Sequence, residues 1–302
     1  MKHKKYLENC NLCNRHCNIN RLKSELGACH ASSKVMIARA ALHFFEEPPI
    51  SGKKGSGAVF FSCCNFKCVF CQNHEISQEY KGIEVSIEKL SEIFLNLQNQ
   101  GANNINLVTP THYVPQIIEA LDIAKNKGLS IPILYNTNGY DSLETIKLLN
   151  GYIDVYLPDF KYFDDKYAMK YSKINNYKKN LIPVLKEMYS QVGKPKFNDN
   201  GIIKKGMIIR HLMLPGLLFD SKKVIDSIYN TFEDNVYISI MNQYTPMFNA
   251  KNYPEINKTL SEKHYESLID YAASIGVKNG FVQDTGTNST EFVPSFNFEG
   301  VN

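Results

Sequence analysis

Phe61-Ser62-Cys63-Cys64-Asn65-Phe66-Lys67-Cys68-Val69-Phe70-Cys71-Gln72-Asn73 is the stretch on which the reading of this chain turns. An apolar, strand-like run, Ala58 to Phe61, leads into it, and Cys64, Cys68 and Cys71 stand within it at C-x3-C-x2-C spacing. Soft thiolates gathered in so short a loop suit iron–sulfur or zinc binding. The count of ligands separates these. Three close thiolates hold three irons of a [4Fe–4S] cube and leave the fourth iron open to an outside ligand, whereas a structural zinc wants four protein ligands.

Downstream of this loop, extended and helical patterns alternate, as in βα units built on a parallel sheet. Ser86 to Gln100 carries apolar residues at Ile87, Leu90, Ile93, Phe94 and Leu97, a helical stripe. Asn104 to Thr109 reads as the second strand, and Val114 to Asn126 as a helix stopped by Gly128. Ile131 to Asn136 and Ile153 to Asp159 are the third and fourth strands, with Leu143 to Leu149 helical between them and further helix out to about Gln191. Met207 to Leu214 and Val236 to Gln243 supply strands five and six around a helix at Ser221 to Phe232. The pattern predicts an α/β fold, a partial (β/α)6 TIM-like barrel with a small cysteine-rich N-terminal extension. The division falls near residue 50: 1–50 as the extension, 51–302 as the barrel with its C-terminal tail. In such barrels the site lies at the C-terminal ends of the strands. Those ends carry, in order, the cysteine loop, Thr109-Pro110-Thr111-His112, Asn136-Thr137-Asn138-Gly139-Tyr140, Asp159-Phe160-Lys161, Arg210-His211 and Asn242-Gln243-Tyr244.

Ahead of the barrel, Cys10, Cys13, Cys17 and Cys29 form C-x2-C-x3-C-x11-C, with Gly27 to turn the chain before Cys29. Four thiols suit one tetrahedral metal or a second cluster, and spacing alone leaves zinc and iron–sulfur both open. Between head and barrel, Val35 to Phe45 is apolar and extended, and Glu46-Glu47-Pro48-Pro49 breaks it. At the other end, Ser289 to Asn302, with Phe292, Pro294, Phe296 and Phe298, reads as a tail docked back on the barrel, since exposed aromatics are costly.

Composition narrows the class. With 43% apolar content over 302 residues the chain can bury a large core. The charge of +4 is a near balance of 34 basic and 30 acidic residues without a dense basic tract, which disfavours nucleic acid as a partner. No stretch reaches membrane-span length, and Met1-Lys2-His3-Lys4-Lys5 is not followed by the apolar segment of a signal peptide. The expected location is cytoplasmic, where eight cysteines signal metal or redox chemistry more often than disulfides.

The cysteine loop resembles that of the radical S-adenosylmethionine (SAM) superfamily, C-x3-C-x-aromatic-C after the first barrel strand, with Phe70 in the aromatic position. Cys63 is then a packed bystander, because pairing it with Cys68 would give a C-x4-C spacing that the family does not use. Asn136-Thr137-Asn138-Gly139-Tyr140, Leu157-Pro158-Asp159-Phe160-Lys161 and Arg210 through Gly216 further resemble the pyruvate formate-lyase-activating enzyme group, in particular homologues with a cysteine-rich N-terminus. The resemblance implies that SAM chelates the open iron of a [4Fe–4S] cluster and is cleaved by one electron to a 5′-deoxyadenosyl radical, which removes a hydrogen atom from the substrate. It implies a flavodoxin or ferredoxin as electron donor and, as first candidate target, a glycyl residue of a partner protein. A small-molecule or peptide-modifying enzyme of the same chemistry is the alternative, and a non-catalytic iron–sulfur or zinc electron-transfer protein is the rival from another class.

Two departures qualify the likeness. Most members place Gly-Gly-Glu after the second strand to receive the SAM amino group. Here the hydroxyls of Thr109 and Thr111, or backbone carbonyls, would have to serve. The activating enzymes also begin the third-strand motif with an Asp that helps hold a monovalent cation; Asn136 stands in its place, leaving Thr137 and Asp159 as ligands for such an ion. Lys161 and His211 match positions near SAM or the substrate, the first to neutralise the SAM carboxylate, the second to donate a proton or hydrogen bond.

Overall fold

The computed structural model describes residues 3–283 and 294–301. In chain order its strands are β1 (Val35–His43), β2 (Ser56–Phe61), β3 (Ile83–Val85), β4 (Ile105–Val108), β5 (Ile133–Thr137), β6 (Val155–Pro158), β7 (Lys196–Phe197), β8 (Ile203–Leu212), β9 (Tyr237–Met241) and β10 (Gly280–Val282). They lie in one open sheet in the order β10-β9-β8-β6-β5-β4-β2-β1-β3, with β7 paired to β8. From β2 to β10 the neighbours are parallel, which makes the expected partial barrel. Every residue of β2, β4, β5 and β6 is buried. That is the pattern of parallel strands covered on both faces, and it explains why these segments read as short apolar runs rather than alternating ones.

Helices fill the crossovers. Ser86 caps the helix Ile87–Asn99 by accepting the Lys89 N–H, and Leu90, Ile93, Phe94 and Leu97 face the sheet. Ser142 caps Leu143–Leu148 in the same way through Thr145. The helix Val114–Asn126 begins with Pro115 in its first turn, where a missing N–H costs nothing. Packed behind β8 and β9 are the helices Leu218–Phe232 and Glu262–Ser274.

Three features extend the sequence reading. A short seventh parallel strand, β10, continues the row past the six expected; its three residues begin at a glycine and are too few to show a period. Strand β8 starts at Ile203, earlier than Met207, because its first residues pair with β7 across a tight connection. Finally, β1 lies within the first fifty residues yet pairs antiparallel with β2 and joins the barrel sheet.

The outer edge of β1 is covered from Val35 to Ala40: β3 pairs with Val35–Ile37, and beyond it the C-terminal segment takes over. There Phe298 donates its N–H to the Ala38 carbonyl, and Ala40 donates to the Glu299 carbonyl. Phe296 is buried edge-on against Phe60, and Arg39 pairs with Glu299 at 2.8 Å. The expected docking of the tail is met from 294 to 301; Ser289, Phe292 and Asn302 lie outside the described residues.

Candidate active site

The strand ends of β2, β4, β5, β6 and β8 converge on a cavity of about 230 Å³, and Cys64, Cys68, Cys71, Thr109, Asn136, Thr137, Asp159 and Lys161 all line it. Its neighbour, about 180 Å³, shares Cys68, Cys71, Asp159 and Lys161 and adds Phe70. Eight residues nominated from sequence therefore meet in one place. Parallel strands explain why: all deliver their following loops to the same rim.

The loop after β2 holds the three thiols by short contacts. Phe66 donates its N–H to the Cys64 sulfur at 3.4 Å, and the Asn138 amide approaches the same sulfur at 3.7 Å. Cys68 meets the Ser172 hydroxyl at 3.1 Å, and Cys71 that of Ser77 at 3.2 Å. Lys67 and Val69 tie the loop to Ser172 and Tyr171 through backbone bonds. Burial raises all three thiols, Cys68 to about 11, and neighbouring thiols add to the effect at each of Cys64 and Cys68. Three adjacent thiolates thus form only against strong positive charge, such as the irons of a cluster supply. Among the described residues no three His, Cys, Asp or Glu side chains close on a single metal ion. A cluster, which takes one thiolate per iron, does not require that. Cys63 is buried in a left-handed conformation under the Tyr113 hydroxyl and does not line the cavity.

The opposite wall carries a compact charge network. Asp159 accepts from Lys161 Nζ at 2.7 Å and from Arg210 at 3.0 and 3.1 Å. Arg210 also reaches Glu46 at 3.2 Å and donates to the side-chain amide oxygen of Asn136. Glu46 in turn accepts from Asn106 at 2.9 Å. Burial opposes ionisation of Asp159, yet Lys161 and Arg210 together hold it below the ordinary carboxylate range. Burial likewise opposes the Lys161 ammonium, and Asp159 and Cys68 more than offset it. Lys161 Nζ has this single side-chain acceptor among the described residues, leaving donors for a further anion. At the end of β4, Thr109 has φ 58°, a strained backbone for a β-branched residue, which suits a site where main-chain groups must be re-aimed.

The Radical SAM superfamily model matches residues 58–228. The chain belongs to the radical SAM superfamily. An uncharacterised protein of Methanocaldococcus jannaschii is 32% identical over 280 residues, covering 89% of this chain and 75% of its own. Among solved structures, Streptococcus suis SuiB bound to its precursor peptide SuiA overlays with a TM-score of 0.53 at 18% identity, covering 74% of this chain and 47% of SuiB. A spore photoproduct lyase variant overlays with a TM-score of 0.51 at 11% identity and 78% coverage of both chains. The chain thus spans about half the length of SuiB, and at these identities the likeness concerns the fold.

In this radical SAM protein two nominated residues stand away from the cavity. His211 is the correction. Side chains alternate along β8, so with Arg210 turned inward His211 points outward to the Leu218–Phe232 helix. There its Nδ1 contacts the Phe160 carbonyl at 2.7 Å and its Nε2 the Ser221 hydroxyl at 2.9 Å. Burial lowers its pKa to about 4, so the ring is neutral and serves packing. Thr111 is buried behind the cavity wall, 3.4 Å from the Thr137 hydroxyl, which itself donates to Asp141 at 2.6 Å. Sequence reasoning placed Arg210 at a strand end but gave the role to its neighbour His211, and it missed Glu46, whose stretch with Pro48 and Pro49 read only as a break. Asp141, fully buried and bonded to Tyr135 and Thr137, was also missed; it anchors the loop that carries Asn138.

The four head cysteines come together too. Cys10, Cys13, Cys17 and Cys29 line one enclosed pocket with Arg15, Arg21 and Gly27. Among the described residues no helix is long and apolar enough to cross a membrane.

Proposed function

We propose that this chain is a radical SAM enzyme in which Cys64, Cys68 and Cys71 hold a [4Fe–4S] cluster, and that it abstracts a hydrogen atom from a polypeptide partner. When bound, the cluster and SAM supply one-electron cleavage of a sulfonium bond and the hydrogen-abstracting power that follows from it. The observation that carries the reading is the placing of three thiols, and only three, on one wall of a cavity whose other wall holds Lys161 and Arg210.

The chain's own residues do the positioning. Lys161 has donors free for the carboxylate of SAM, and Asp159, itself pinned by Arg210, holds it from behind. The Thr109 hydroxyl or carbonyl, at its re-aimed backbone, accepts the ammonium. Phe70 packs edge-on against Tyr244 and walls the cluster loop off from solvent. A monovalent cation between Thr137 and Asp159 is disfavoured: the Thr137 oxygen already accepts the Gly139 N–H at 3.1 Å, and both oxygens of Asp159 are held by Lys161 and Arg210. A glycyl residue of a partner protein is the first candidate target, on resemblance to the activating enzymes. The exposure of Phe44 and Phe45, the latter on the cavity lining, supports a macromolecular partner docking at the mouth.

The test is anaerobic reconstitution with iron and sulfide, reduction by dithionite or a flavodoxin, and assay of 5′-deoxyadenosine. Wild type should form it and Cys68→Ala should not. A cluster-loaded, reduced wild type that leaves SAM intact would overturn the enzyme reading. Electron paramagnetic resonance with candidate partners then decides the target, a glycyl radical being the expected signal.

A further inference from the structure

We propose that Cys10, Cys13, Cys17 and Cys29 hold a second iron–sulfur cluster, set one side chain away from the first so that an electron entering at the head passes to it. The donor is a one-electron carrier of the flavodoxin or ferredoxin class. The head cluster gains its electron and returns to the oxidised state on handing it to the cluster at Cys64, so no bond is made or broken. The relay half rests on the function proposed above; the metal site does not.

Four independent observations converge. The four thiols line a single enclosed pocket, although they span twenty residues of chain. Gly27 is required there by space: a methyl group on it would stand 2.9 Å from the Cys17 sulfur.

Second, both cysteine groups share a local geometry. In the cluster loop, Phe66 donates its N–H to Cys64 at 3.4 Å, and the Asn73 backbone N–H stands toward Cys71 at the same two-residue offset. In the head, the backbone N–H groups of Arg15 and Ala31 stand toward Cys13 and Cys29 at the same offset. Hydrogen bonds to the sulfurs are among the features by which a protein tunes a bound cluster. Left-handed backbone at His16, Asn18 and His30, beside Cys17 and Cys29, bends the chain to allow it.

Third, Arg21 is 1% exposed, lines the pocket, and has no carboxylate partner among the described residues. Its donors go to the carbonyl oxygens of Ser32 and His112. A buried cation needs a counter-charge, and four metal-bound thiolates provide one.

Fourth, Asn65 links the two sites. It is 1% exposed, its amide nitrogen has no hydrogen-bond partner of ordinary length, and the Cys13 sulfur is the group it faces. Its carbonyl oxygen accepts from Asn138 at 2.6 Å and lies 3.9 Å from the Cys64 sulfur. Arg15 adds a second tie by donating to the Asn65 main-chain carbonyl at 2.9 Å. Such proximity serves electron transfer, for which zinc has no use.

The full chain carrying Cys64→Ala, Cys68→Ala and Cys71→Ala together, reconstituted anaerobically, isolates the head from the first site. Two or four irons per chain with equal acid-labile sulfide, roughly a third or half of the wild-type total respectively, are expected, with a paramagnetic signal on dithionite reduction. Zinc in their place, or no iron in a variant whose circular dichroism matches wild type, overturns the site. Should that variant fail to fold, Mössbauer counting on wild type decides, because four irons in all leave none for the head. Adjacency is read from fully reduced wild type: its spectrum should show spin–spin splitting absent from the triple variant and from Cys10→Ala/Cys13→Ala. A simple sum of the two variants' spectra refutes the relay.

Discussion

Replacing Arg210 by Gln probes the charge network that shapes the candidate site. The guanidinium is about 12% exposed and lies 3.0 to 3.2 Å from the carboxylates of Asp159 and Glu46. Removing one partner of a buried ion pair costs roughly 3–5 kcal/mol, because the charge left behind is uncompensated. Here the loss falls at the lower end, about 3 kcal/mol. Asp159 keeps Lys161 at 2.7 Å and Glu46 keeps the Asn106 amide at 2.9 Å. The measurement is urea unfolding under anaerobic conditions, followed by circular dichroism, with an unchanged slope and a lower midpoint expected. Adding Glu46→Gln removes one of the two stranded charges, so the double variant should be more stable than the sum of the single losses by about 1–2 kcal/mol. A loss under about 1 kcal/mol for Arg210→Gln, or strict additivity of the pair, would refute the claim that this cation holds the wall together.

Other outcomes follow from the same structure. Gly139 has φ +77° and an added methyl would clash with a Leu181 methyl and meet the Asp159 carbonyl at 3.1 Å, so Gly139→Ala should cost about 2 kcal/mol in urea unfolding, and a neutral result would contradict the loop conformation. Phe296→Ala empties the contact with Phe60 and should cost about 3 kcal/mol, with faster proteolysis of the C-terminal segment as a second readout. His211, lowered by burial from 6.5 to about 4, is neutral in the folded chain, whereas the unfolded chain takes up a proton below 6.5. Stability is therefore full above that value and falls as the pH drops through this window, by up to ~3 kcal/mol from this ring. His211→Asn should flatten the pH dependence of unfolding there, and an unaltered slope would mean the ring is not held neutral.

The fold was legible wherever an element carries its own period. The apolar runs of β2, β4, β5 and β6 and the stripe from Ile87 to Leu97 needed no knowledge of their neighbours. Strands β3, β7 and β10 have three residues or fewer and exist only through their partners, so local pattern could not reveal them. The site was legible as far as strand ends could be recognised, because every inward-facing end reaches the same rim. The choice between Arg210 and His211 was not: one residue of register separates cavity from helix packing, and register is fixed by β6 and β9 rather than by β8 itself. Glu46 escaped for a related reason. Its meaning depends on a cation 164 residues away.

The way β1 is flanked has a consequence for solubility. An open barrel leaves flanks whose main-chain donors and acceptors invite a foreign strand to add on. On the β1 side this chain plugs its own flank, first with Ile83–Val85 and then with the backbone of Phe298 and Glu299. Shortening the protein ahead of Pro294 would bare the amide of Ala40 and the carbonyl of Ala38 as a template for intermolecular pairing, turning a covered flank into a seed for self-association.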